Sequence, residues 1–205
     1  MKPRELLDIL AVAERLKDTT RHCYTSGGRH ESVAEHSWMM TLMAFLMKEE
    51  FPEADMDKVI SMCIIHDLGE SFTGDIPVFN KTAADEKREE DLLRSWVQSL
   101  PQATARKIQA LYEEMEARQT LEAKIYKTID GLEAVVQHNF SPISTWLPNE
   151  YELNQTYAWD RVGFSDYMMQ LREEIRKDTV RKIEDAQTNC DCNPKNQNFR
   201  KEESK

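Results

Sequence analysis

Residues 63–70 read Cys63-Ile64-Ile65-His66-Asp67-Leu68-Gly69-Glu70, and Gly74-Asp75-Ile76-Pro77 follows closely. An imidazole and a carboxylate stand side by side at the end of an apolar run. Removing that pair from water with nothing to bind is costly, so a partner is implied, and a metal ion answers for both groups. The rest of the chain reads as scaffolding that brings further ligands and a substrate pocket to this point.

Working outward, the apolar spacing is helical almost throughout. A helix starting at Asp55 or Asp57 carries His66 on the face of Val59, Met62 and Cys63, and Gly69 is its natural stop. Upstream, Ser32-Val33-Ala34-Glu35 has the form of a capping box and opens a helix to about Glu49. Pro3 suits the first turn of a helix reaching Lys17, and Asp18–Arg29 is a polar connection containing Gly27-Gly28. Downstream, residues 70–82 form a loop, Ala83–Leu100 a charged helix lined inside by Leu92, Leu93, Trp96 and Val97, and Pro101–Arg118 another. Leu121, Ile125, Ile129, Leu132 and Val136 stripe a helix over 120–139. Residues 141–154 read as an irregular excursion, and Ser165 caps a last helix to about Ala186. No strand and no repeat stands out. The expected fold is all-α, a single-domain helical bundle over residues 1–186 with a polar, disordered tail at 187–205.

A chain of 205 residues suffices for one well-filled core. A net charge of −10 argues against a nucleic-acid polymer held by general electrostatics, though a small anion beside a metal is compatible with it. Met1–Leu7 is charged, so no leader is expected, and no stretch approaches the roughly 20 apolar residues of a membrane span. The four cysteines form no C-x-x-C pair, which reads as a reduced, cytoplasmic protein.

Of the five histidines, His36 and His66 fall where a helix faces inward. Either alone reads equally as a core histidine. Asp67 beside His66 makes a mixed N/O donor set, and Asp130, an acid within an apolar stripe, is either a fourth ligand or the partner of a cation.

The order Glu35-His36, His66-Asp67-Leu68-Gly69-Glu70, Gly74-Asp75-Ile76-Pro77 and Lys127-x-x-Asp130 resembles the HD-domain phosphohydrolases, within them the 5′-deoxynucleotidase and HD-domain-containing protein 2 group, over roughly residues 5–185. The resemblance implies an HD-type bundle in which His36, His66, Asp67 and Asp130 bind one divalent ion (Mn, Co, Ni, Fe, Mg or Zn). It further implies release of phosphate from nucleoside or deoxynucleoside 5′-monophosphates, and a homodimer, for which Leu153, Trp159 and Phe164 offer apolar surface.

Metal-activated water is the natural tool for so slow a hydrolysis. Glu70, at i+4 from His66, is the first candidate for the base that orients this water. Its plainer alternative is a solvated acid beyond a terminal glycine. Asp75 is either a turn residue or, by resemblance, the group that orients water or protonates the leaving oxygen, and the two roles can be exchanged. Arg21 matches the family's phosphate-binding arginine, with Arg29 as the alternative. His22 stands where many relatives have tryptophan, which weakens base or sugar stacking. Lys127 either touches phosphate or balances Asp130. Other HD activities on cyclic nucleotides, triphosphates or alarmones are alternatives, as is a metal-holding nucleotide sensor, against which the spare acids Glu70 and Asp75 argue. An oxygenase with two irons would need histidines between His66 and Asp130, and there are none. The methionines at 39–47 read as adaptable core, the run Asp85–Asp91 as a solvated face, and Cys190-x-Cys192 as inert.

Overall fold

The computed structural model describes residues 1–191, with side chains through Thr188. In chain order the elements are α1 (Pro3–Ala13), β1 (Thr20–Tyr24), β2 (His30–Ser32), α2 (Val33–Leu46), α3 (Met56–Ile65), α4 (Glu70–Thr73), α5 (Ala83–Ser99), α6 (Gln102–Ala117), α7 (Leu121–Phe140), α8 (Glu150–Thr156) and α9 (Asp166–Asp191), with short 3-10 turns between them.

Local chemistry sets the helix starts. Ser32 accepts from the Glu35 backbone N–H while the Glu35 carboxylate accepts from that of Ser32, the expected capping box. Asp55 caps α3 and Ser165 Oγ accepts from Met168 N–H, also as expected. Thr82 and Thr120 cap α5 and α7 in the same way.

The core forms where α7 lies against α2, α3, α6 and α9. Ile125, Ile129 and Leu132 of its stripe are fully buried, together with Met40, Met62 and Met168. Met40 of α2 and Met47 just after it are thus core, as expected. Gly131 lets α7 approach the 158–161 turn closely: a Cβ there would stand 2.9 Å from both the Ala158 Cβ and Arg161 Nη1. No helix among the described residues is long and apolar enough to cross a membrane.

Several expectations need correction. The polar connection before α2 contains a two-stranded antiparallel hairpin, β1–β2, with an irregular register between Thr20 and Tyr24. Only Cys23 in β1 and Glu31 and Ser32 in β2 are buried, so strands this short and polar carry no alternation to read. Gly69 is no helix stop. It is helical, at φ −59°, and the chain keeps winding through i to i+3 bonds from Leu68 to Ile65 and from Glu70 to Asp67. The break comes at Gly74, at φ +79°, a backbone that glycine adopts freely. Residues 141–154 are not wholly irregular, since α8 begins at Glu150. Leu92 faces outward, leaving Leu93, Trp96 and Val97 inside. α9 runs to Asp191, beyond the expected end near Ala186. The remainder of the tail, with Cys192, lies outside the described residues.

Candidate metal and phosphate site

Three helices deliver four donors to one point. His36 lies near the start of α2, His66 and Asp67 at the end of α3, and Asp130 in the middle of α7. His66 Nε2 is 2.9 Å from Asp67 Oδ2 and 3.9 Å from Asp130 Oδ1. His36 Nε2 is 3.3 Å from Asp130 Oδ1 and 3.9 Å from Asp67 Oδ2. Both Nε2 atoms are buried and make no hydrogen bond. Orphaned polar atoms are rare in folded proteins, and two of them aimed at two carboxylates is what a cation site requires. Two imidazoles and two carboxylates suit a borderline divalent ion such as Zn, Mn, Fe, Co or Ni. Despite burial, the neighbouring imidazoles hold the Asp67 carboxyl down at about 2. Lys127 and the same imidazoles likewise keep that of Asp130 well below the usual range.

The two rings are aimed by different partners. His66 Nδ1–H donates to the Cys63 carbonyl at 3.0 Å, within its own helix. His36 Nδ1–H donates to the carboxylate of Glu133, which comes from α7 and is fully buried. A carboxylate behind an imidazole fixes the ring, selects the nitrogen left for a cation and raises its basicity. Burial and Arg21 oppose a charge on His36, yet Glu133 and Asp130 outweigh them and push its pKa up to about 9.

One cavity of about 250 Å³ is lined by Arg21, His22, Asp67, Glu70, Asp75, Lys127 and Asp130. A larger one, about 640 Å³ between α5 and α6, meets the quartet only through His66; it shares Lys127 with the smaller but lacks Arg21, Glu70 and Asp75. Glu70 is 6% exposed, which removes the solvated reading. The tight 66–70 turn sets it at i+3 from Asp67, and its Oε2 is unpartnered. Burial first, then the charges of Asp67 and Asp75, push its pKa up to about 10. Asp75, just past the Gly74 break, is also raised, chiefly by burial.

Of the two arginines, Arg21 lines the smaller cavity and Arg29 does not. Arg29 pairs with Glu35 on the surface, outside the cavity. Arg21 is nearly buried, 3.3 Å from Glu31, with an unpartnered Nε. Lys127 Nζ donates to Asp130 Oδ2 at 2.7 Å, so it balances that carboxylate while lining the cavity. His22 also lines it, but its Nε2–H donates to Glu150 at 2.7 Å and Phe79 meets its ring edge-on. That ring is committed and not a free stacking plate.

Glu31 and Glu133 escaped the sequence reading. Glu31 is pushed up to about 7, first by burial and then by Glu133, with Arg21 opposing, and it accepts from Cys23 Sγ at 3.2 Å. The signal for Glu133 was available: it is an acid one turn beyond Asp130 on the same apolar helix. Also unread was the contact of His22 and His138 with Glu150, across three distant segments.

The human 5′-deoxynucleotidase HDDC2 is 31% identical over 138 residues, 65% of this chain and 67% of that protein. Its counterpart in Dictyostelium discoideum is 30% identical over 169 residues, 77% of this chain and 89% of that one. Among solved structures, a predicted metal-dependent phosphohydrolase from Magnetospirillum magnetotacticum MS-1 superposes with a TM-score of 0.75 at 26% identity, covering 87% of this chain and 95% of that chain. The fold is shared as well with the cyanophage S-2L HD phosphohydrolase, bound to dA and one catalytic Zn2+, at a TM-score of 0.53 and 20% identity over 90% of this chain and 98% of that one. The family description "HD domain" matches residues 13–172, and this chain belongs to the HD-domain family.

Proposed function

We propose that this chain is a divalent-metal-dependent phosphomonoesterase that releases phosphate from nucleoside 5′-monophosphates, deoxy forms included. The observation that carries the reading is that two orphaned imidazole nitrogens meet Asp67 and Asp130, whose carboxylates line one cavity together with Glu70, Asp75 and Arg21. The 5′-deoxynucleotidases among its relatives support the substrate class.

In this reading His36, His66, Asp67 and Asp130 hold the cation. When bound, such an ion polarises a phosphoryl oxygen and acidifies water. Arg21, with Lys127 behind Asp130, supplies the positive charge that a phosphate needs. Glu70 orients the attacking water and takes its proton, and Asp75 protonates the leaving oxygen, an assignment that an exchange of the two would also satisfy. Burial raises the proton affinity of both carboxyls, and a cation held beside them by Asp67 and Asp130 would lower it again, toward the range in which Glu70 can accept a proton.

A homodimer belongs to the same reading, and α2 offers a larger apolar face for it than the expected Leu153, Trp159 and Phe164, of which Phe164 packs on the core and Trp159, under Arg172, stays exposed. α2 is apolar on all sides: Met40 and Ala44 are buried, while Trp38, Phe45 and Leu46 are left exposed, as are Leu6, Leu7 and Leu10 of α1. A helix apolar all round needs cover on its outer side too, and a second copy would supply it. Sedimentation as a monomer at micromolar concentration removes that part. A cytoplasmic setting fits the two buried free thiols, Cys23 and Cys63.

The test is phosphate release from a panel of ribo- and deoxynucleoside 5′-monophosphates after reloading with Mn, Co, Ni, Mg or Zn, with His66→Ala/Asp67→Ala as control. Turnover in the wild type alone is the expected result. Silence across the panel with metal bound overturns the reading.

A further inference from the structure

His22 of β1, His138 near the end of α7 and Glu150 at the start of α8 place their donor atoms within 4.8 Å of one another, and all three line the cavity just described. His22 Nε2 is 2.7 Å from Glu150 Oε1, and His138 Nε2 approaches the same oxygen but stops at 3.6 Å, outside hydrogen-bond reach. Glu150 and His138 are 1% and 8% exposed. The other Glu150 oxygen accepts from the Leu147 backbone N–H at 2.7 Å, which fixes the carboxylate with Oε1 turned to the imidazoles.

We propose that His22, His138 and Glu150 form a second divalent-metal site, of the zinc type, opening on the same cavity as the HD quartet. As a hydrogen-bonded group the three are incomplete, because two Nε2 atoms converge on one oxygen and only one reaches it. A cation between them uses all three donors at once, and two imidazoles with one carboxylate is a donor set in which zinc keeps an open position for water or substrate. The protonation states agree with that use. Burial, with the nearby His22 and Arg21, outweighs Glu150 and pushes His138 down to about 4, so its ring is neutral at physiological pH. The Glu150 carboxyl is held below the usual range despite burial, chiefly by the His22 hydrogen bond. The ion would leave one net positive charge facing the cavity.

The test is zinc bound per chain after equilibrium dialysis of the full-length protein, with circular dichroism to establish folding. Two zinc ions in the wild type, one in His138→Ala, one in Glu150→Gln and one in His66→Ala/Asp67→Ala is the expected pattern. One ion in the wild type and none in His66→Ala/Asp67→Ala overturns the second site, as do two ions in His138→Ala or Glu150→Gln. Should those two variants fail to fold, His22→Ala, whose side chain is partly solvated, takes their place with the same expected loss of one ion. Retention of two ions in folded His22→Ala overturns the proposal. None of these readouts depends on turnover, so an inactive protein would leave them intact.

Discussion

The cavity has two walls of different construction. On one, the turn after α3 and the middle of α7 bring Asp67, Lys127 and Asp130 to the surface of the cavity, with His36 and His66 buried next to the two aspartates on helices packed into the core. On the other, β1, the 74–82 loop and α8 bring Arg21, His22, Asp75 and Glu150 on short or irregular segments. The quartet wall is anchored by apolar burial, which is dense and non-directional. The opposite wall is anchored by directed polar contacts: Cys23 to Glu31, His22 to Glu150, Gln137 to the Tyr24 carbonyl. Burial fixes donor positions against small perturbations, whereas a polar wall depends on each partner being present.

The largest effect should come from the quartet itself. Asp67→Asn removes one of two carboxylates from the cation and should cut turnover at least about a hundredfold, the scale of one electrostatic group in a site. It should also lower zinc content at equal total metal, and full metal content with normal turnover would break the comparison at its strong side. Glu70→Gln comes next. It keeps volume and burial but cannot carry a proton, so kcat should fall roughly 10²–10⁴-fold with metal content unchanged. Lost metal would make Glu70 a ligand and move it to the other wall.

Glu133→Gln sharpens the contrast between the two histidines. The His36 ring would lose an ionised acceptor while that of His66 keeps its backbone carbonyl, and cation affinity should weaken about 10–100-fold. Activity should return at saturating metal, and unchanged affinity would make the His36–Glu133 contact one of packing alone. The smallest effect is an absence of reaction. Burial pushes the Cys23 thiol up to about 12 and that of Cys63 higher still, and a raised pKa keeps a thiol protonated and unreactive. Iodoacetamide at pH 8 should leave both unlabelled in folded protein. Label at Cys23 in peptide mapping would show that the hairpin wall opens.

What the sequence disclosed follows the same division. Helices with apolar stripes and their Ser32, Asp55 and Ser165 caps were legible, because periodicity and cap spacing are properties of one segment; the quartet came forward as a set only through the motif order that resembles the HD-domain phosphohydrolases. The hairpin was not, since its short strands bury little and their pairing is a relation between two polar segments. Glu70 could be placed beside the ligands, but its burial could not, because the tight turn that replaces a Gly69 stop is set by tertiary packing. Glu150 stayed hidden for a related reason: its partner His22 is far off in the chain, and nothing in its own neighbourhood announces the pairing. Glu31 is buried beside Cys23 and Arg21 of the same hairpin and went unread with it, whereas Glu133, one turn beyond Asp130, was there to be read.

Gly131 follows Asp130 directly, and it is where α7 runs within van der Waals distance of the 158–161 turn. Tyr157, at the edge of that turn, lines the cavity. One absent methyl group therefore sets the spacing between a carboxylate donor and part of the opposite wall. In evolutionary terms the position is a ratchet: a lineage that gained a side chain there would have to move the turn, and with it the shape of the cavity, before Asp130 could return to its place. Variation in what the pocket accepts is accordingly easier to reach through α8 and the 74–82 loop, which can drift without disturbing the helix that carries the donor.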